Sequence, residues 1–373
     1  TGFNHPIGNW DTSKVTDMRQ MLYGCNSFNQ DLGGWDMTGV TNLSNFFASN
    51  PVFNNGDSTG INNWRTSSCT DMSSMFVHAH SFNQPIGDWD VSNVTNMNRM
   101  FDNTSSTSKM SFDQDIGSWD VGKVTNFREF MRSYQGSQPQ PFTNGGSPSI
   151  SGWDTSSATT MYHMFYRCTG FNHPIGNWDT SKVTDMSQML YGCNSFNQDL
   201  GGWDVTGVLN FSSFFVGNPV FNNGGSTGIN NWRPSSCTTM RSMFEKCYNF
   251  NQPIGDWDTS NVTTMRRMFD NTSSTNKMSF DQDIGNWDVG NVTSFHEFMR
   301  GYYSSQRCPF TNGGSSSISG WDTSSATSMY HMFYGCTGFD QSLSGWSVSN
   351  VTSANGFMQH CTLSTANYDS TLG

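Results

Sequence analysis

The chain has 373 residues, of which 34 % are hydrophobic and only 13 % charged, with a formal net charge of −11. That balance argues against nucleic acid as a partner, which calls for a basic surface, and no apolar run of about 18 residues is present to span a membrane. Aromatic residues at 14 % and 22 Met residues point to an interior built from Trp, Phe and Met in fixed columns, with few Leu or Ile.

Followed from the N-terminus, one phrase recurs: F-N-x-x-I-G-x-W-D-x-S-x-V-T-x-M-x-x-M-F-x-x-C, as in Phe171 to Cys193. All 13 Trp residues occupy its W position: Trp10, Trp35, Trp64, Trp89, Trp119, Trp153, Trp178, Trp203, Trp232, Trp257, Trp287, Trp321 and Trp346. Such self-similarity marks a stacked-repeat protein. Trp-to-Trp spacings run 25, 29, 25, 30, 34, 25 and then repeat in that order, a period of 168 residues. Residues 1–168 form a six-coil module, 169–336 a second that differs at about 32 positions, and 337–373 a partial third module and array end. Together they read as one continuous solenoid. Thr1 falls in mid-repeat at the phase of Thr169 and Thr337, as expected of a piece of a longer array.

Within each coil, I-G-x-W-D-V reads as a short strand. The next segment carries Val183, Met186, Met189, Leu190 and Cys193 at offsets of three and four, which places them on one face of a short helix. Thr16, Thr95, Thr184, Thr263 and Thr352 precede that segment and read as its N-caps. The expected fold is a repeat solenoid, a leucine-rich-repeat-like α/β solenoid with one short strand and one short helix per coil. The alternative is an all-β solenoid, because isolated helices so short are marginal. The longer spacings locate insertions: Asn- and Gly-rich chain before Trp64 and Trp232, loops at Asp102 to Met110 and Asp270 to Met278, and Ser133 to Ser149 in coil six. Their composition marks them as loops, the usual carriers of recognition on a rigid scaffold.

The pattern M-x-x-M-F-x-x-C-x-x-F-N-x-x-I-x-x-W-D-V-S-x-V-T, as in Met72 to Thr95, resembles the roughly 26-residue bacterial surface protein repeat, the DUF285 or BspA-like family. The resemblance covers nearly the whole chain, and the tail from Leu363 to Gly373 resembles the segment that closes such arrays. It implies a secreted or surface-displayed leucine-rich-repeat-like array with no catalytic residues. The longer coils depart from the simple pattern, so their insertions inherit no family function.

Each recurrent column admits a functional and a structural reading. The Trp column could be a platform for sugars; its alternation with Ile and Val favours a core column. The Asp after Trp recurs in ten coils, with Arg65, Arg233 and Ser347 at the other three places. A row of carboxylates at strand spacing repels itself, so each Asp bonds its own turn or shares a Ca²⁺, for which Asp154, Asp179 and Asp204 are the candidates. The turn reading is favoured because no coil supplies the further oxygens that Ca²⁺ needs. The Asn after Phe reads as a hydrogen-bonded ladder.

Cys168 and Cys193 share a phase on consecutive coils, as do Cys336 and Cys361, so these are the disulfide candidates. N-x-[ST] triplets make Asn103 and Asn271, on inserted loops, and Asn93, Asn261, Asn291 and Asn350 glycosylation candidates in a eukaryotic host. No G-x-S-x-G, H-E-x-x-H or phosphate loop occurs, and His163 and His331 read as part of a solvated face. The expectation is a non-catalytic extracellular structural repeat protein, part of a surface layer, stalk or filament, that self-associates head-to-tail or laterally. The alternative is a surface adhesin recognising a host protein or glycan through its inserted loops. No cofactor is expected beyond the Ca²⁺ candidates.

Overall fold

The computed structural model describes residues 2–105, 107–133, 140, 142–271, 273, 275–301 and 308–372. The chain divides into two compact units, Thr1–Lys182 with Gly192–Phe196 and Val183–Tyr191 with Asn197–Gly373. In each unit consecutive coils stack with parallel pairing, joined by single-residue bridges such as Asp17 to Asn42, Asn42 to Asp71 and Asp71 to Asn96 in the first, and Asp185 to Asn210 and Asn210 to Thr239 in the second.

The flank expected to be helical is instead a ribbon of overlapping turns. In the first coil the amides of Met21, Tyr23 and Cys25 donate three residues back, to Met18, Gln20 and Leu22. The alternate amides of Met18, Gln20, Leu22 and Gly24 donate to Asn42, Ser44, Phe46 and Ala48 of the next coil at 2.9–3.1 Å. Every second N–H therefore leaves the coil, whereas an α-helix would keep them all. The turns need a left-handed residue at their third position. It falls on Gln20, Asn45, Ser74, Arg99, Glu129, His163, Gln188 and their equivalents, with φ of 55–58° at these seven. Four residues later Gly takes the same conformation without strain at Gly24, Gly192, Gly217 and Gly335.

The expected strand at I-G-x-W-D-V is also a turn: Trp35 N–H donates to Leu32 and Trp89 N–H to Ile86. Most of the parallel bridges fall further on, just after the Thr column, with others at Asn103 to Ser133, Gln140 to Cys168 and Cys308 to Cys336. Those Thr residues are not helix caps. Thr41, Thr70, Thr95 and Thr125 each give both N–H and hydroxyl to the carbonyl of the preceding Thr, the amides at 2.8–2.9 Å and the hydroxyls at 3.0–3.2 Å. Among the described residues the one α-helix is α1, Thr365–Leu372, accompanied by short 3₁₀ segments that include Thr59–Asn63 and Thr227–Asn231.

The core is columnar. Eleven Trp residues, Trp35 to Trp321 in the series, are at most 4 % exposed, while Trp10 is 52 % exposed and Trp346 half-buried. From Trp35 to Trp178 in the first unit and from Trp232 to Trp346 in the second, the indole N–H donates to the Ile or Leu carbonyl of the preceding coil, as in Trp35 to Ile7 at 2.9 Å and Trp232 to Leu200 at 2.9 Å. A parallel column of Phe rings runs through the first unit from Phe3 through Phe28, Phe53, Phe82, Phe112, Phe142 and Phe171 to Phe196, with centroids 5.6–6.5 Å apart. In the second unit it runs from Phe221 through Phe250, Phe280 and Phe310 to Phe339 at 5.8–6.4 Å. Offset pairs at this distance contribute about 0.5–1.5 kcal/mol each beyond burial.

Coil three is packed tightly despite its insertion. A Cβ on Gly33 would lie 2.7 Å from the Gly60 Cα, and one on Gly201 would lie 2.6 Å from the Gly228 Cα, so only Gly permits the approach. Asn55 closes that loop from inside, accepting from Leu32 N–H at 2.8 Å and donating to the Ser58 carbonyl at 2.8 Å.

Replacing Trp232 by Phe tests the indole ladder. The Leu200 carbonyl keeps its turn amide from Trp203, so the change removes one hydrogen bond and part of a packed ring. We expect a loss of about 1–3 kcal/mol in guanidinium denaturation; no measurable loss would show that the ladder contributes nothing.

Candidate functional site

The Asp column is organised by its own turns. Asp11, Asp90, Asp179 and Asp258 each accept from the amide and hydroxyl of the Ser two residues on. Asp36 and Asp204 do the same with Thr38 and Thr206. The Ser hydroxyl and amide hold the carboxyls of Asp90 and Asp179 below their ordinary value of 3.8, as the Ser156 amide and hydroxyl do for Asp154. The Ca²⁺ candidates Asp154, Asp179 and Asp204 are thus each bonded within their own turn. Among the described residues no group of three or more His, Cys, Asp or Glu is placed to hold a metal.

The Asn column forms a second ladder. Asn4, Asn29, Asn54 and Asn83 each accept, through the side-chain oxygen, the backbone N–H of the matching residue in the next coil at 2.8–2.9 Å. Asn197, Asn222 and Asn251 do likewise in the second unit at 2.8–2.9 Å.

Arg65 interrupts the Asp row between Asp36 and Asp90. Two surface hollows flank it: one of about 260 Å³ lined by Trp35, Asp36, Met37, Thr38, Asn63 and Arg65, and one of about 320 Å³ that adds Asn62, Trp64, Ser67, Asp88 and Asp90. Asn62 both donates to the Asp88 carboxylate and accepts from the Asp88 amide, which fixes one wall. In the second unit Arg233 folds onto the carbonyls of Asn230 and Trp232, each at 2.9 Å.

The sequence reading missed a buried ion-pair cluster. Asp102 is fully buried and receives Arg99 at 2.7 Å and Arg132 at 2.8 Å, with Glu129 alongside. Its twin in the second unit is Asp270 with Arg267 at 3.1 Å, Arg300 at 2.8 Å and Glu297. The R-M-F-D phrase at Arg99–Asp102 and Arg267–Asp270, with an Arg one coil later, was the available signal. Burial pushes the Asp270 carboxyl up to about 6 against the pull of Arg300, and the nearby Glu245 adds to the push. Val77 stands at the place of Glu245 in the first module.

Several expected sites are placed differently. All nine cysteines are free thiols, Cys168, Cys193, Cys336 and Cys361 included. The reason is direction: each of these four donates to a carbonyl of the preceding coil, at 2.8–3.1 Å, instead of turning toward its neighbour. Burial raises the thiols of Cys168 and Cys336 well above their ordinary value, and those of Cys69 and Cys237 to about 12. Asn103 and Asn271 are 0 % and 1 % exposed, not on open loops, because each side-chain amide closes its loop, donating at 2.7 Å to Ser108 and Asn276 respectively. Asn93, Asn261, Asn291 and Asn350 are exposed, each donating to a Ser carbonyl one coil back at 2.7–2.9 Å.

His163 is not on a solvated face. It is 8 % exposed, its ring 3.8 Å from that of Tyr162 and 4.8 Å from that of Tyr166. Part of the coil-six insertion, 134–139 and 141, lies outside the described residues, as do 302–307. No helix of the described residues is long and apolar enough to cross a membrane.

Stacked coils joined by side-chain and backbone ladders define a tandem-repeat protein. A family model described as "Mycoplasma protein of unknown function, DUF285" matches residues 1–59, 50–138, 139–227, 222–308 and 275–370, and the chain belongs to that family. No curated protein and no solved structure matches it.

Two opposite pH dependences result from these carboxyls. Asp90, Asp154 and Asp179, with lowered folded values, stabilise above 3.8 and lose that contribution as pH falls through values below it. Asp270, raised to about 6, contributes fully below 3.8 and loses the contribution as pH rises through about 6. In thermal melts across pH, Glu245→Val is expected to shrink the second decline and leave the acid limb unchanged. An unaltered second decline would refute the role given to Glu245.

Proposed function

We propose that this chain is a non-catalytic, extracellular structural repeat protein that forms part of a surface layer, stalk or filament. One observation carries the reading: the repeated polar side chains, Asn after Phe, Asp after Trp and the Thr column, are bonded along the stack or within their own turns. Residues used in this way build a scaffold, and the same outer surface recurs with each module. Membership of the repeat family supports the array character. The BspA-like surface label and the comparison with leucine-rich repeats belong to this proposal. Of the two architectures weighed, the parallel coil-to-coil bridges favour a solenoid nearer the all-β kind. Self-association would be lateral or head-to-tail.

A second reading is favoured by the hollows beside Arg65. Arg65, Asn63 and the Asp36, Asp88 and Asp90 carboxylates offer donors and acceptors suited to the hydroxyls of a glycan or to a polar segment of a host protein.

Electron microscopy of native, unreduced material separates the two. Six coils at about 4.8 Å each give an axial repeat near 29 Å, or a multiple of it, in filaments. Dispersed particles at all concentrations would sink the filament reading. Glycan-array binding abolished by Arg65→Ala would then establish the second.

A further inference from the structure

We propose that Cys308 and Cys336 are a disulfide-forming pair that clips two consecutive coils of the second unit, and that Cys336 bonds to Cys308 in preference to Cys361. The two residues face each other across an isolated parallel bridge. Cys308 N–H donates to the Gly335 carbonyl at 3.2 Å, and Thr337 N–H donates to the Cys308 carbonyl at 3.1 Å, so the backbone brackets the pair from both sides. Residues so paired lie about 4.8 Å apart, inside the Cα separation that a disulfide accepts.

Both residues are 0 % exposed, so the pair lies inside the stack, away from solvent. Gly301 permits the approach: a Cβ there would lie 2.7 Å from the Cys308 nitrogen and 3.2 Å from the Cys308 Cβ. The Cys336 thiol donates to the Met299 carbonyl at 2.8 Å and must rotate from it to reach Cys308. Cys361, by contrast, is paired with Cys336 by no bridge among the described residues. It is half-buried, and its thiol donates to the Phe333 carbonyl at 3.0 Å.

The first module supplies an internal control. Gln140 stands at the place of Cys308 and forms the same bridge, to Cys168. Its side-chain amide donates to the Phe101 carbonyl at 3.1 Å, so no second thiol faces Cys168 there. The clip therefore belongs to the second module alone.

Formation of the bond removes one hydrogen from each thiol. Two electrons and two protons pass to a small-molecule disulfide, such as oxidised glutathione, which leaves as two thiols. Exchange proceeds through a thiolate, and burial holds the Cys336 thiol far above its ordinary value. Oxidation must therefore follow local opening of the coil and be slow.

The test uses the full chain, reduced, then incubated folded in oxidised glutathione, alkylated and mapped by mass spectrometry. The expected result is one linked peptide pair containing Cys308 and Cys336, with Cys168 and Cys193 recovered alkylated. The melting temperature should rise by about 5–10 °C on oxidation, and that rise should vanish in Cys308→Ser. The mapping needs no variant, so a folding defect in Cys308→Ser would not shield the proposal. Cys308 recovered as a free thiol, or a Cys336–Cys361 link in its place, would overturn it. So would a full temperature rise in Cys308→Ser.

Discussion

The structure depends on how the backbone divides its amides. Along the turn ribbon, alternate N–H groups serve the coil's own turns and the next coil, and the carbonyls divide in the complementary way. Buried amides need partners, and along the ribbon this parity supplies them with almost no regular helix or strand among the described residues. It also requires non-Gly residues in the left-handed region, a conformation that is sparsely populated and strained. The coil-to-coil bonds and the Phe and Trp columns offset that strain. A single coil has neither, so stability lies in the contact between coils, as expected of repeat arrays.

Features set by residue identity at a fixed phase were legible in the sequence. The repeat, the Asp turns and the Asn ladder all depend on one residue type recurring at one place, and each can be read from the letters alone. The helix was not legible, because a ribbon of turns places Met186, Met189, Leu190 and Cys193 inward at the same offsets as a helix would. What separates them is the sign of φ at polar positions such as Gln188, which leaves almost no compositional mark. The sequons show a different limit. The triplet at Asn103 is plain, but its side chain is buried and spent on the Ser108 carbonyl, which the letters do not reveal.

The two modules are similar enough that their differences stand out as local changes in chemistry. Glu245 for Val77 places a carboxylate near an ion pair that is otherwise duplicated. Cys308 for Gln140 replaces an amide bonded to the Phe101 carbonyl with a Cys paired across a backbone bridge with Cys336. Both changes fall at coil-to-coil contacts, where a single side chain meets the next turn of the stack. Neither alters the ladders that surround it. A repeat scaffold can in this way acquire local character without redesign.

The amides of the ribbon point forward to the following coil, as Met18 does to Asn42. The donors of the other corners point back, as the Thr41 amide does to Thr16 and the Trp35 indole to Ile7. An α-helix aligns its peptide dipoles, and their sum places partial charges at its ends. Here the opposed rows cancel in part within each coil. Adding coils by duplication therefore accumulates less axial dipole than a stack with every donor aligned would, so dipole build-up alone grows slowly with array length.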